Sequence, residues 1–295
     1  MTPRNRSAFT LFQLLVVLAI LLLLFALLLP ALVKARVQAA RERATNNLQQ
    51  LVLLGLHNYN VVYTTLPPGV DDKHFSAASK LLPFIEQEQV FETIDFKKSI
   101  DHKVNAEARK FKIKTFLSTA DPIDSVKPVW GATNYLFNDK LFFLNSKTRF
   151  PASIPDGTSN TIAIGETLKG DGKTKAVDVK RQYVLLKKED LKATGPNTGV
   201  KHFEDNKNIA GDRCASWMDG RFLQGMCNSR LQPNDKRPDV SCGGVGGVSA
   251  LRSFDTFVLV GLCDGSARSV KNSISRLTWE HVFDPNDGFP LGADW

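Results

Sequence analysis

Leu14 to Val33 is a run of 20 residues without one charged or polar side chain. As a helix rising 1.5 Å per residue it spans about 30 Å, the thickness of a bilayer's hydrocarbon core. A buried core helix rarely needs to be apolar on every side. A cleaved secretory signal has an apolar stretch of about 7–15 residues, shorter than this one. The run therefore predicts a membrane helix. Charge does not orient it, because Arg4 and Arg6 precede the run while Lys34, Arg36, Arg41 and Arg43 follow it.

Those flanking residues also account for most of the chain's net charge of +8. Residues 1–43 carry +5, which leaves +3 for the rest of the chain, 32 basic against 29 acidic residues. No block of Lys and Arg remains to track phosphates, so nucleic acid is not an expected partner.

The helical pattern continues past the bilayer edge. Val33, Val37, Ala40, Ala44, Leu48 and Leu51 recur at spacings of three and four, one face of an α-helix. Lys34, Gln38, Arg41, Thr45 and Gln49 form the opposite, polar face. The pattern fades near Tyr59, and Leu66-Pro67-Pro68-Gly69 ends it. The expected organisation is a helix over 9–65, membrane-spanning at about 11–33 and amphipathic at about 34–59, followed by a body over 66–295. The stripe needs a sheet to lie on. Later segments supply strands: Thr161-Ile162-Ala163-Ile164 after an Asp156-Gly157 turn, and Phe257 to Cys263 entering a hairpin at Asp264-Gly265, with Ala267 to Val270 returning. Short strands after a long helix predict an α+β fold, antiparallel in its sheet and rich in loops.

The segment Arg6-Ser7-Ala8-Phe9-Thr10-Leu11-Phe12-Gln13, leading into the apolar run, resembles the class III signal of type IV prepilins and type II secretion pseudopilins. The resemblance implies a leader over 1–8, cut by prepilin peptidase between Ala8 and Phe9, with Phe9 then N-methylated. Ala8 stands where glycine is usual, and Pro30 where many pilins carry a helix-kinking proline. It further implies a single-pass protein of the cytoplasmic membrane, N-terminus inside and body exported, whose partners are membrane lipid and other pilin or pseudopilin subunits. The fifth mature residue of that family is normally Glu. Here it is Gln13, which weakens the case for ordinary filament assembly.

Thr65-Leu66-Pro67-Pro68-Gly69, Leu81 to Gln87, Asp156 to Thr161 with Gly165-Glu166, Trp217-Met218-Asp219-Gly220 and Asp264-Gly265-Ser266 also resemble the ordered landmarks of a large prepilin-like family. That family is abundant in planctomycete bacteria, and its body is catalogued as a domain of unknown function. Ser118-Thr119-Ala120-Asp121 replaces its frequent Cys-Pro-Ser-Asp, and Phe254 its frequent histidine. Taken as residues, most of these landmarks are turn formers rather than sites.

An exported body permits disulfides, and Cys214, Cys227 and Cys242 cluster in a loop-rich stretch. At least one disulfide is expected among them, while Cys263, in an apolar strand, reads equally as a buried thiol. No pair has metal or redox spacing, the five histidines are scattered, and no nucleophile elbow or phosphate loop is present. Asp284-Pro285-Asn286-Asp287-Gly288 is oxygen-rich but does not match a calcium loop, and it reads as a turn. Neither metal nor cofactor is expected. The leading expectation is a structural pilin-like subunit and not an enzyme. One alternative is an anchored extracytoplasmic binding module that forms no filament, and another is a tethered hydrolase with carboxylates that converge only in space.

Overall fold

A computed structural model describes residues 11–189, 197–244 and 246–295. Ala8 and Phe9 therefore lie outside the described residues. The chain divides into two compact units, Met1–Glu42 and Arg43–Trp295. The boundary falls within helix α1, Leu11–Gln49, which contains both Gln13 and Pro30. In the first unit the side chains of the apolar run stand exposed, and one 18-residue window has a mean hydropathy of 3.2 with none of it buried. This is one N-terminal helix long and apolar enough to cross a membrane.

The last turns of α1 belong to the second unit. Gln50–His57 then continue as a π-helix and Asn58–Tyr63 as α2. Thr64 takes a left-handed conformation at the end, and its amide bonds the Asn60 carbonyl. The chain thus stops just before the prolines that cannot continue it. Ala44, Leu48 and Leu51 are buried as their spacing predicts, whereas Val52, Gly55 and Leu56 join them because the wider π turn shifts the face. Each leucine so buried contributes about 1.5–3 kcal/mol.

Among the described residues nine strands form two sheets. The first has the order β5-β1-β2-β8-β9, from Met226–Cys227, Tyr135–Asn138, Ile162–Glu166, Phe257–Leu262 and Ala267–Lys271. The second has the order β4-β3-β6-β7, from Ile209–Ala210, Tyr183–Leu185, Asp239–Ser241 and Gly247–Val248. Both are antiparallel-rich, but each contains one parallel pair, β1 with β5 and β3 with β6. The fold is α+β with antiparallel-rich sheets, as expected, and the two parallel pairs are additions to that pattern.

The first sheet is packed on both faces. Tyr135, Phe137, Ile164 and Cys263 meet the helical stripe in one core. Leu136, Ile162, Val258 and Val260 meet Trp279, Val282 and Phe283, around the helix Arg276–His281, in another. Alternate residues of β1 thus face opposite layers, as a pleated strand requires. A register shift between Ile162 and Ile164 puts Ala163 and Ile164 on the same side. Gly261 lets the helix approach closely, since a Cβ there would lie 3.3 Å from Val52. Asn47 bonds the Tyr135 hydroxyl (3.2 Å), and a ring nitrogen of His57 lies 2.8 Å from the Cys263 carbonyl oxygen. The β8–β9 hairpin turns at Gly265 (φ +90°), with the Asp264 carboxylate accepting the amide and hydroxyl of Ser266.

The cysteine expectation is corrected. Cys214, Cys227, Cys242 and Cys263 are thiols, not disulfides. Cys214 and Cys227 belong to the core under β1 and β8, while Cys242 packs against the core of the second sheet. The Cys227 thiol donates to the Leu136 carbonyl (3.8 Å). Burial pushes the Cys214 thiol up to about 11, against the pull of the neighbouring Arg213, and raises the Cys227 and Cys263 thiols as well.

Candidate functional site

A cleft of about 600 Å³ opens beside the end of α1. Three segments form it: Arg43 and Asn47 on α1, the loop from Lys114 to Asp124, and Lys169 just after β2. The loop is shaped by its own side chains. The Ser118 hydroxyl accepts the amide of Ala120, and the Asp121 carboxylate accepts that of Ile123. Asn47 donates to the carbonyl of Leu117 (3.1 Å), tying loop to helix.

Asp121 is the centre of the floor. Its carboxylate accepts Nη2 of Arg181 (2.9 Å), Nδ2 of Asn134 (3.0 Å) and the backbone amide of Lys169 (2.8 Å). Nζ of Lys169 lies 3.4 Å away and donates to Oδ1 of Asn134 at 2.7 Å. The side chains of Asp121 and Lys169 are each 1% exposed. Burial alone would raise the Asp121 carboxyl, but Lys169 and Arg181 outweigh it and hold the group below the usual carboxylate range. Lys169 is shifted down by burial, which Asp121 only partly offsets. Glu166, at the end of β2, is pushed up to about 7 by burial, opposed by a hydrogen bond from Ser118 and reinforced by the charges of Asp121 and Asp255.

The mouth is different. Neither Arg43 nor Lys114 has an ion pair or side-chain hydrogen bond among the described residues. The other carboxylate in the lining, Asp124, is neutralised by Lys112. Leu117, Pro122 and Ile123 supply an apolar wall.

Two other polar clusters lie outside this cleft. Arg213 and Arg252 both pair with Asp239, all at or below 1% side-chain exposure. Arg213 also donates to Thr167 and to the Ala250 carbonyl, so this group joins the two sheets and is closed to ligands. Near the C-terminus, Asp284 holds Lys140 and the Asn286 amide, and Asp287 pairs with His281. Among the described residues no three His, Cys, Asp or Glu side chains are placed to hold a metal ion. The segment Asp284 to Gly288 is a hydrogen-bonded turn, in which Asp156 accepts the amides of Asp287 and Gly288.

A family model described as "Protein of unknown function (DUF1559)" matches residues 34–277. The chain belongs to that family. No curated protein and no solved structure matches it. The stretch assigned to the DUF1559 family takes in the whole cleft, from Arg43 to Lys169.

Two of the landmarks read as turns are close approaches of backbone. A Cβ on Gly69 would lie 2.1 Å from the Phe142 carbonyl oxygen, and one on Gly220 2.4 Å from the Gly69 oxygen. Asp219, in the same landmark as Gly220, is buried and held by Arg221 through both Nε and Nη2. Two landmarks behave otherwise: the one ending at Asp121 and the one ending at Glu166 meet at the cleft floor. Sequence reasoning passed over Lys169, Arg181 and Asn134. The one visible signal was at Lys169, a cation closely following the apolar strand Ile162 to Ile164. The structure does not bring Gln13 or Pro30 into the cleft.

Proposed function

We propose that this chain is a membrane-anchored, pilin-like structural subunit, with its N-terminal helix in the cytoplasmic membrane, its body exported, and no catalytic activity of its own. The observation that carries the reading is one continuous helical stretch, Leu11–Tyr63, apolar on all sides at its start and amphipathic at its end. The amphipathic end lies on an antiparallel-rich sheet. A helix of that kind has a use for both solvents: lipid around the first part and a protein core against the second.

Gln13 bears on assembly. A carboxylate at this place would balance a buried amine in an apolar bundle, and glutamine carries no charge to do so. The reading therefore puts this subunit at a filament tip or outside the filament. The test is cross-linking of subunits in intact membranes and sheared filaments, comparing the native chain with Gln13→Glu. Cross-linked oligomers with other pilin-like subunits, and more of the chain along the filament after Gln13→Glu, support the proposal. A chain that stays monomeric in both forms favours the second reading, an anchored binding module, for which the cleft beside α1 is the supporting observation.

A further inference from the structure

We infer that the cleft beside α1 binds a small organic acid, with its carboxylate at Arg43 and Lys114 and its apolar part against Leu117, Pro122 and Ile123. Binding of this kind rests on neither leader processing nor filament assembly.

Size comes first. About 600 Å³ lies within the range of small-molecule sites, roughly 300–1,000 Å³. It is too much space for a bare inorganic anion and too little surface for a nucleic acid, which also needs many more cations along its backbone.

Charge then selects the sign of the ligand. Both carboxylates in the lining are neutralised, Asp121 by Lys169 and Arg181 and Asp124 by Lys112. Arg43 and Lys114 remain, two cations whose charge nothing on the cleft wall cancels. A cation entering would be repelled by these two. An anion meets attraction at the mouth and a floor that is already fixed in place by Asn134. Arg43 presents a flat guanidinium suited to a carboxylate in two-point contact. The hydroxyl of Thr119 offers a further donor in the lining.

Polarity selects the rest. Leu117, Pro122 and Ile123 all belong to the loop that lines the cleft and give the wall an apolar side. A ligand that was charged throughout would leave that side facing water, whereas an acid with a short apolar body covers it.

The test is calorimetric titration of the full-length chain in neutral detergent at low salt, with phenylacetate as the probe. Three comparisons accompany it: neutral phenylacetamide, inorganic sulfate, and the double variant Arg43→Gln/Lys114→Gln. Both substituted residues are solvent-facing and tie no other element in place, so the variant is expected to fold. The expected result is saturable one-to-one binding of phenylacetate, weakened about tenfold or more in phenylacetamide and in the double variant. Raising the salt should weaken it as well. Arg230→Gln, at a cation outside the cleft, should leave the affinity unchanged. Equal affinity for acid and amide, equal affinity in the double variant, or no saturable binding of phenylacetate overturns the inference. Sulfate binding as tight as phenylacetate also overturns it, since the apolar wall then contributes nothing.

Discussion

Asp121→Ala removes the carboxylate on which the cleft floor is built. Lys169 and Arg181 are left facing each other at 1% and 7% side-chain exposure, and the Lys169 amide loses its acceptor. Breaking a buried ion pair from one side costs about 3–5 kcal/mol, because the remaining charge is neither solvated nor paired. In a body of this size each kcal/mol lowers Tm by about 2–4 °C, so the fall should be on the order of 10 °C. The assay is thermal unfolding of the full chain in neutral detergent, followed by near-UV circular dichroism. Asp121→Ala/Lys169→Met should recover about 1–2 kcal/mol of the loss, since one stranded cation is gone. The pH dependence has a definite sign. The folded carboxyl is held below its ordinary range, so its contribution is complete above about pH 4 and is lost as the pH falls through the folded value. The gap between native chain and variant should therefore be full at neutral pH and close in acid. A variant within about 1 kcal/mol of the native chain at pH 7, or a gap that persists unchanged into acid, would refute the reasoning.

Glu166 should behave with the opposite sign. Its folded value is about 7, so ionisation costs stability as the pH rises from about 4.5, and the cost is complete above 7. Glu166→Gln should gain on the native chain by about 1–3 kcal/mol between pH 5 and pH 8; a difference that does not change with pH would contradict this. The thiols give a third expectation: iodoacetamide on the native chain should modify half-buried Cys242 well before Cys214, Cys227 or Cys263. Non-reducing peptide mapping should find no disulfide, and a linked pair among Cys214, Cys227 and Cys242 would contradict the structure.

Local pattern made much of the fold legible. Ala44, Leu48 and Leu51 sit on the buried face because helical spacing permits only one, and the turn at Asp264-Gly265 follows from what that dipeptide can adopt. The π-helix at Gln50–His57 was not legible, since it depends on how Val52 and Gly55 meet β8 and α3 (Ala77–Leu81). The second sheet was hidden for a related reason: its strands are two or three residues long, too short to show alternation. The cleft was the least legible part. Asp121, Asn134, Lys169 and Arg181 lie far apart along the chain, and their pairing is set by tertiary packing alone. The cysteines misled because spacing in a loop-rich stretch says nothing about which core each thiol enters.

The central claim is that the apolar helix is a pilin-like membrane anchor, and its most direct test is the N-terminal peptide of the chain extracted from native membranes. Intact mass and peptide sequencing should find a chain beginning at N-methylated Phe9, with Met1 to Ala8 removed. A peptide beginning at Met1, or one beginning after Ala35 as a secretory signal peptidase would leave, would contradict the claim.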